Sequence, residues 1–202
     1  MKELYVITDE KLTPYDRILR MVEEALEGGA KLVQLRDKNN SDDFLLDYAV
    51  KIRDLCHRYG SYFIINDRVQ LALKSRADGV HVGEEDENIE RVMELMKGKI
   101  VGVSCYGSVE RAKEMEDLGA SYVAFGSFYF SPTKPKSKIV PKDIVSQAKK
   151  ELKIPICVIG GLTVERAKEL VVLGADLVAV INDVWTAECI KERCREYLRL
   201  FT

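Results

Sequence analysis

No stretch of this chain approaches the ~20 consecutive apolar residues that span a bilayer, so no membrane-crossing helix is expected. No CxxC pair occurs among its five cysteines, which argues against a cysteine-ligated structural zinc. Cys56, Cys105, Cys157, Cys189 and Cys194 are odd in number and scattered, and they read as reduced thiols in core or helix positions. The opening Met1-Lys2-Glu3-Leu4-Tyr5 lacks the apolar core of a secretory signal. Together these predict a cytoplasmic protein. A surplus of one charge is missing too: 31 Lys and Arg against 33 Asp and Glu leave −2. That excludes a basic coat for nucleic acid but not a locally basic pocket. There are only two histidines. His81 lies inside an apolar run and reads as a satisfied core residue, with no second histidine clustered to hold a metal. No Ser-His-Asp or Cys-His arrangement suggests a protein nucleophile.

What the chain does have is regular alternation. Short apolar runs stand at Leu4–Thr8, Leu32–Arg36, Tyr62–Asn66, Gly79–Val82, Ile100–Ser104, Tyr122–Gly126, Ile156–Ile159 and Leu177–Ile181. Between them apolar residues recur at helical spacing, as in Ile18, Met21, Val22, Ala25 and in Phe44, Leu45, Tyr48, Ile52, Leu55. A last helix is predicted from about Trp185 to Leu200. Gly29-Ala30-Lys31-Leu32-Val33 is echoed at Gly119-Ala120-Ser121-Tyr122-Val123 and at Gly174-Ala175-Asp176-Leu177-Val178, with a looser copy at Arg76-Ala77-Asp78-Gly79-Val80. Each copy ends a helix and enters a buried strand. Eight such units in 202 residues predict an α/β protein, a single (β/α)8 TIM barrel forming one catalytic domain over 1–202. A doubly wound open sheet is the structural rival.

In a barrel, chemistry sits at the C-terminal ends of the strands. Those ends are polar here. The second gives Gln34 and Arg36 on one strand face, with Val33 and Leu35 toward the helices. An anionic ligand would satisfy the Arg and Gln; a buried Arg–Asp structural pair is the alternative. Asn66 and Asp67 end the third strand, and Asp86 follows the fourth. Both Asp residues read singly as helix caps, and together as ligands for a hard cation such as Mg²⁺ beside a substrate phosphate. Ser104 ends the fifth strand. A long segment from Ser127 to Val140 carries Ser131-Pro132-Thr133-Lys134-Pro135, which suits phosphate or a solvated loop. Gly160-Gly161 follows the seventh strand and Asn182-Asp183 the eighth, where barrels commonly bind phosphate.

These residues carry a resemblance. Tyr5-Val6-Ile7-Thr8-Asp9, Gln34-Leu35-Arg36-Asp37-Lys38, Ile65-Asn66-Asp67-Arg68, His81-Val82-Gly83, Asp86, Ser131-Pro132-Thr133-Lys134-Pro135 and Ile159-Gly160-Gly161 stand in the order seen in thiamine-phosphate synthases (thiamine-phosphate pyrophosphorylases). The chain resembles that family, which is grouped with the thiazole tautomerases, over nearly its whole length. The resemblance implies a transferase joining hydroxymethylpyrimidine diphosphate to a thiazole phosphate. It implies that Gln34, Arg36, Lys38 and Asn66 hold the pyrimidine diphosphate, with Lys134 and Ser104 beside it. Arg36, Lys134 and Ser104 would be the catalytic residues, and Asp67 and Asp86 the ligands of Mg²⁺. Ser131, Thr133, Gly161, Ile181 and Asn182 would line the thiazole phosphate site. Three positions depart from the family pattern: Glu84 stands for a common Gln, Ser131 for Thr, and Asn182 for Ser. The alternatives are a thiazole tautomerase, which would carry a His near Tyr106, and a non-catalytic barrel binding the same ligands. The partners expected are small molecules, with no nucleic acid or membrane; a homo-oligomer is left open.

Overall fold

The computed structural model describes residues 1–84 and 88–202. Eight parallel strands close into a barrel in chain order. They are β1 (Glu3–Ile7), β2 (Leu32–Leu35), β3 (Tyr62–Asn66), β4 (Gly79–Val82), β5 (Ile100–Tyr106), β6 (Tyr122–Phe125), β7 (Ile156–Val158) and β8 (Leu177–Val180). Closure comes from β1 against β8, with Tyr5 opposite Ala179. The helices between them are α1 (Ile18–Glu27), α2 (Asp42–Arg58), α3 (Val69–Ser75), α4 (Ile89–Leu95), α5 (Val109–Leu118), α6 (Ile144–Glu151) and α7 (Val164–Val172), and the chain ends with α8 (Asn182–Trp185) and α9 (Ile190–Leu198). This is a (β/α)8 barrel, as the alternation predicts, and the open sheet is excluded by the β1–β8 ladder. Among the described residues no helix is long and apolar enough to cross a membrane.

Strand alternation sorts the core into two layers. Leu4, Val6, Val33, Leu35, Phe63 and Ile65 face the helices. Tyr5, Ile7, Leu32, Ile64, Tyr122 and Leu177 fill the lumen. Hydroxyls cap the starts of α2, α5 and α7, where Ser41 accepts from Phe44 N at 3.2 Å, Ser108 from Arg111 N at 3.0 Å and Thr163 from Arg166 N at 3.3 Å. The repeated helix-to-strand turn uses left-handed backbone: Gly174 has φ +118°, and Arg76, in the looser copy, adopts φ +55° despite its Cβ.

One expectation is corrected. Helix α9 does not start at Trp185. The indole of Trp185 is buried and donates to Ile7 O at 2.6 Å, which pins α8 to the barrel. Residues 186–189 then turn, and α9 returns to pack on α1. Apolar spacing runs through that turn, so periodicity alone joins the two helices. Within α2, Leu45, Ile52 and Leu55 are buried and Tyr48 packs against the core, whereas Phe44 is 45% exposed; the Phe44 and Tyr48 rings both pack on Tyr15.

Candidate functional site

Gln34 points into the lumen, buried, and its Nε2 donates to Tyr5 Oη at 2.7 Å. Arg36 follows β2, and its backbone N donates to Thr8 Oγ1 at 3.0 Å. Among the described residues Arg36 has no carboxylate partner, and the expected Arg–Asp pair is not formed. Asp37 turns away instead. Its carboxylate accepts from Tyr15 Oη, from the backbone N of Asn39 and Asn40 at 2.8 and 2.7 Å, and from Asn40 Nδ2 at 2.7 Å. Burial alone would raise the Asp37 carboxyl, but these bonds hold it below the usual range. Arg68 donates to Asp37 O at 2.9 Å and to Asp42 Oδ1 at 2.8 Å. The turn so tied presents Lys38 to the Asp67 carboxylate, with which it pairs.

Asp67 has φ +62° and lies one residue before the helix boundary. The N-cap of α3 is Arg68, with no side-chain cap bond, and the cap of α4 is Asn88, whose Oδ1 accepts from Glu90 N at 3.0 Å. Asp67 is therefore not the N-cap of α3, and it lines the barrel mouth. Asp86 lies outside the described residues. Among the described residues the Asp67 carboxylate is the donor of the proposed pair, and a small hard cation that keeps most of its ligands as water and substrate phosphate needs only one or two protein carboxylates. Among the described residues no group of three or more His, Cys, Asp or Glu comes together. A second feature fits the phosphate. Asn66 is buried and its Nδ2 has no protein acceptor, an arrangement costing about 1–3 kcal/mol unless an acceptor arrives.

Two adjoining cavities occupy the mouth. The smaller, of about 350 Å³, is lined by Gln34, Arg36, Lys38, Asn66 and Asp67. The larger, of about 1070 Å³, is lined by Ser131, Thr133, Gly161 and Asn182. Ser104, Lys134 and Ile181 border both. Apart from Asp86, every site residue expected from sequence is thus in one continuous space. Gly161 has φ +62°, and a Cβ there would lie 2.3 Å from Phe130 O. Segment 127–140 rests on that backbone, with Tyr129 N donating to Gly160 O at 3.1 Å. The missing side chain at Gly161 thus seats this segment, a close approach that sequence does not reveal.

His81, read from sequence as a satisfied core residue, has both ring nitrogens hydrogen-bonded and also lines the smaller cavity. It lies opposite Asn66 in the β3–β4 register and so shares the lumen face of Gln34. Its Nε2 is 2.8 Å from Ser104 Oγ, and its Nδ1 is 2.8 Å from Tyr122 Oη. Burial, with the charges of Lys134 and Lys38 and against that of Asp67, pushes its pKa down to about 4. Strand parity with Asn66 was the available signal. Tyr106, with φ +55°, also borders both cavities, and its hydroxyl accepts from Glu84 N at 3.1 Å.

Comparison with known proteins is specific. The sequence model of a family described as "Thiamine monophosphate synthase" matches residues 4–184. A protein of Wolinella succinogenes named thiamine-phosphate synthase is 42% identical over 173 residues, covering 86% of this chain and 79% of that one. One of the same name from Acidithiobacillus ferrooxidans is 40% identical over 205 residues, covering 98% and 93%. The solved structure of thiamine phosphate pyrophosphorylase from Pyrococcus furiosus superposes with a TM-score of 0.90 at 35% identity, covering 98% of this chain and 94% of that one.

Proposed function

This chain belongs to the thiamine monophosphate synthase family and is a transferase of thiamine biosynthesis, and from that premise we propose that the two cavities at its barrel mouth hold the two substrates side by side. The smaller takes hydroxymethylpyrimidine diphosphate and the larger a thiazole phosphate. The observation that carries this reading is the shape of the mouth. A basic cavity with a buried amide donor adjoins one edged by hydroxyls and glycine, and the two share Ser104 and Lys134.

In this reading Arg36, Lys38 and Asn66 bind the diphosphate, and Gln34 orients the pyrimidine from below. The bond between the pyrimidine methylene and the diphosphate oxygen breaks, and the electron pair leaves with the diphosphate. The thiazole nitrogen gives its lone pair to the methylene and becomes a thiazolium, so no proton needs removing and no protein nucleophile is required. Arg36 and Lys134 stabilise the charge on the departing diphosphate. Mg²⁺, when held by Asp67 and Asp86 with the substrate's own oxygens, supplies further charge neutralisation there. Ser131, Thr133, Gly161, Ile181 and Asn182 place the thiazole phosphate so that its nitrogen lies within ~3–3.5 Å of the methylene carbon. The chain acts as one catalytic domain over 1–202 in the cytoplasm, a reading supported by five unpaired thiols. A tautomerase is disfavoured by Tyr106 where a His would stand.

The test is direct: purified protein with both phosphorylated substrates and Mg²⁺ is expected to yield thiamine phosphate. Folded protein that makes none overturns the reading. The thiazole phosphate site has its own check. Gly161→Val forces a side chain against Phe130 O at a left-handed backbone, so it is expected to weaken thiazole phosphate binding strongly. Asn182→Ser is expected to change it little, since Ser is the common residue there. Titration of both variants with the thiazole phosphate decides, and the reverse order would place that phosphate elsewhere.

A further inference from the structure

We propose that His81 is a positioning residue that leaves the Ser104 hydroxyl proton free to donate a hydrogen bond to the substrate, through a one-way chain of protons crossing the barrel lumen. The inference rests on the reading of Ser104 as part of the substrate site.

The chain has five members. Gln34 Nε2 donates to Tyr5 Oη at 2.7 Å. Tyr5 Oη lies 2.8 Å from Tyr122 Oη, Tyr122 Oη lies 2.8 Å from His81 Nδ1, and His81 Nε2 lies 2.8 Å from Ser104 Oγ. Gly102 makes the arrangement sterically feasible, because a Cβ there would stand 2.0 Å from Tyr122 Cζ. A phenol has one proton. The Gln34 amide already occupies Tyr5 as an acceptor, so the Tyr5 proton goes to Tyr122. Tyr122 then turns its own proton to His81 Nδ1. Nδ1 is thereby an acceptor, and the single ring proton sits on Nε2, facing Ser104. Ser104 accepts it, and its hydroxyl proton is left for the cavity. A second proton on the imidazole would set Nδ1–H against the Tyr122 proton, so the ring in this chain carries one.

The consequence concerns specificity. Ser104 keeps its hydroxyl proton for a lone-pair acceptor on the substrate, such as a phosphate oxygen or a ring nitrogen. With the chain reversed, Ser104 would instead present its lone pair.

Histidine-selective ¹⁵N NMR on the ligand-free protein tests the direction. The protein has two histidines, and His57→Gln assigns His81. The expected spectrum shows one protonated ring nitrogen, Nε2. A proton on Nδ1, or on both nitrogens, overturns the inference. Kinetics give the second arm. Tyr122→Phe is expected to lower kcat about tenfold, the scale of one misdirected hydrogen bond, with little change in KM. In a Ser104→Ala background the same change is expected to cost nothing further, because Tyr122 acts through Ser104. Equal losses in both backgrounds overturn it. If Tyr122→Phe fails to fold, Tyr5→Phe interrupts the same chain one member earlier. The spectrum needs neither substrate nor turnover. A wild-type protein that makes no thiamine phosphate but shows Nε2–H therefore overturns the proposed function alone, and an active one with Nδ1–H overturns the inference alone.

Discussion

Asp67→Asn is expected to fold like the wild type and to lose turnover on the order of a hundredfold or more, the range that follows loss of one charge-stabilising group. Stability holds for three reasons. Asp67 is not the N-cap of α3, which is Arg68. Its φ of +62° is one that Asn adopts as readily as Asp. The ion pair it gives up has a half-exposed lysine, and pairs of that kind contribute ~0–1 kcal/mol. Chemistry suffers because an amide is a poor ligand for a hard divalent cation, which prefers charged oxygen. Thiazole phosphate binding is expected to persist, because the neighbouring cavity is the one proposed for that substrate. Asp86→Asn is expected to behave alike. Activity measured against Mg²⁺ and Mn²⁺ concentration, with melting temperature as the folding control, is the experiment. Partial recovery at high metal supports the assignment. Wild-type turnover with an unchanged metal dependence in both variants sinks it.

Lys134→Ala is the other large effect. Lys134 stands between Pro132 and Pro135 on segment 127–140, exposed, and borders both cavities. Folding does not depend on an exposed side chain there, so the melting temperature is expected to hold. The charge matters most as the diphosphate departs, and removing such a group raises the barrier by about 2.7–4 kcal/mol, roughly a hundred- to thousandfold in rate. The loss is expected in kcat more than in KM, because the interaction strengthens only in the transition state. An unchanged kcat/KM in purified, folded Lys134→Ala would reduce the segment to a solvated connector.

Both predictions concern residues visible in the sequence, and the reason is local. Short, nearly continuous apolar runs such as Leu4–Ile7 and Leu32–Leu35 mark buried parallel strands, and polar residues at their ends mark the side where a barrel works. Gln34, Arg36, Asn66, Ser104 and Gly161 all follow from that rule, whose terms lie within a few residues of each other. The separation of α8 from α9 does not follow, because the Trp185 indole that ends the run finds its acceptor at Ile7 O, 178 positions away.

The same distinction runs through the site. Strand order, helix spacing and the identity of the polar strand ends are properties of short windows, and there composition and periodicity suffice. Closure of β1 on β8 is not local, and it sets which polar groups meet across the lumen. Tyr5 and Tyr122 are 117 positions apart, yet their hydroxyls lie 2.8 Å from each other. Without closure Gln34 is an amide in search of an anion. With it, Gln34 heads a chain that ends at Ser104, and His81 passes from core residue to part of the mouth. Gly161 depends on tertiary pairing too: its neighbour Phe130 comes from the loop after β6, and the contact requires β6 to lie beside β7. Side-chain direction is a matter of backbone period, whereas partnership across a barrel is a matter of closure and register, and no window of sequence contains both partners.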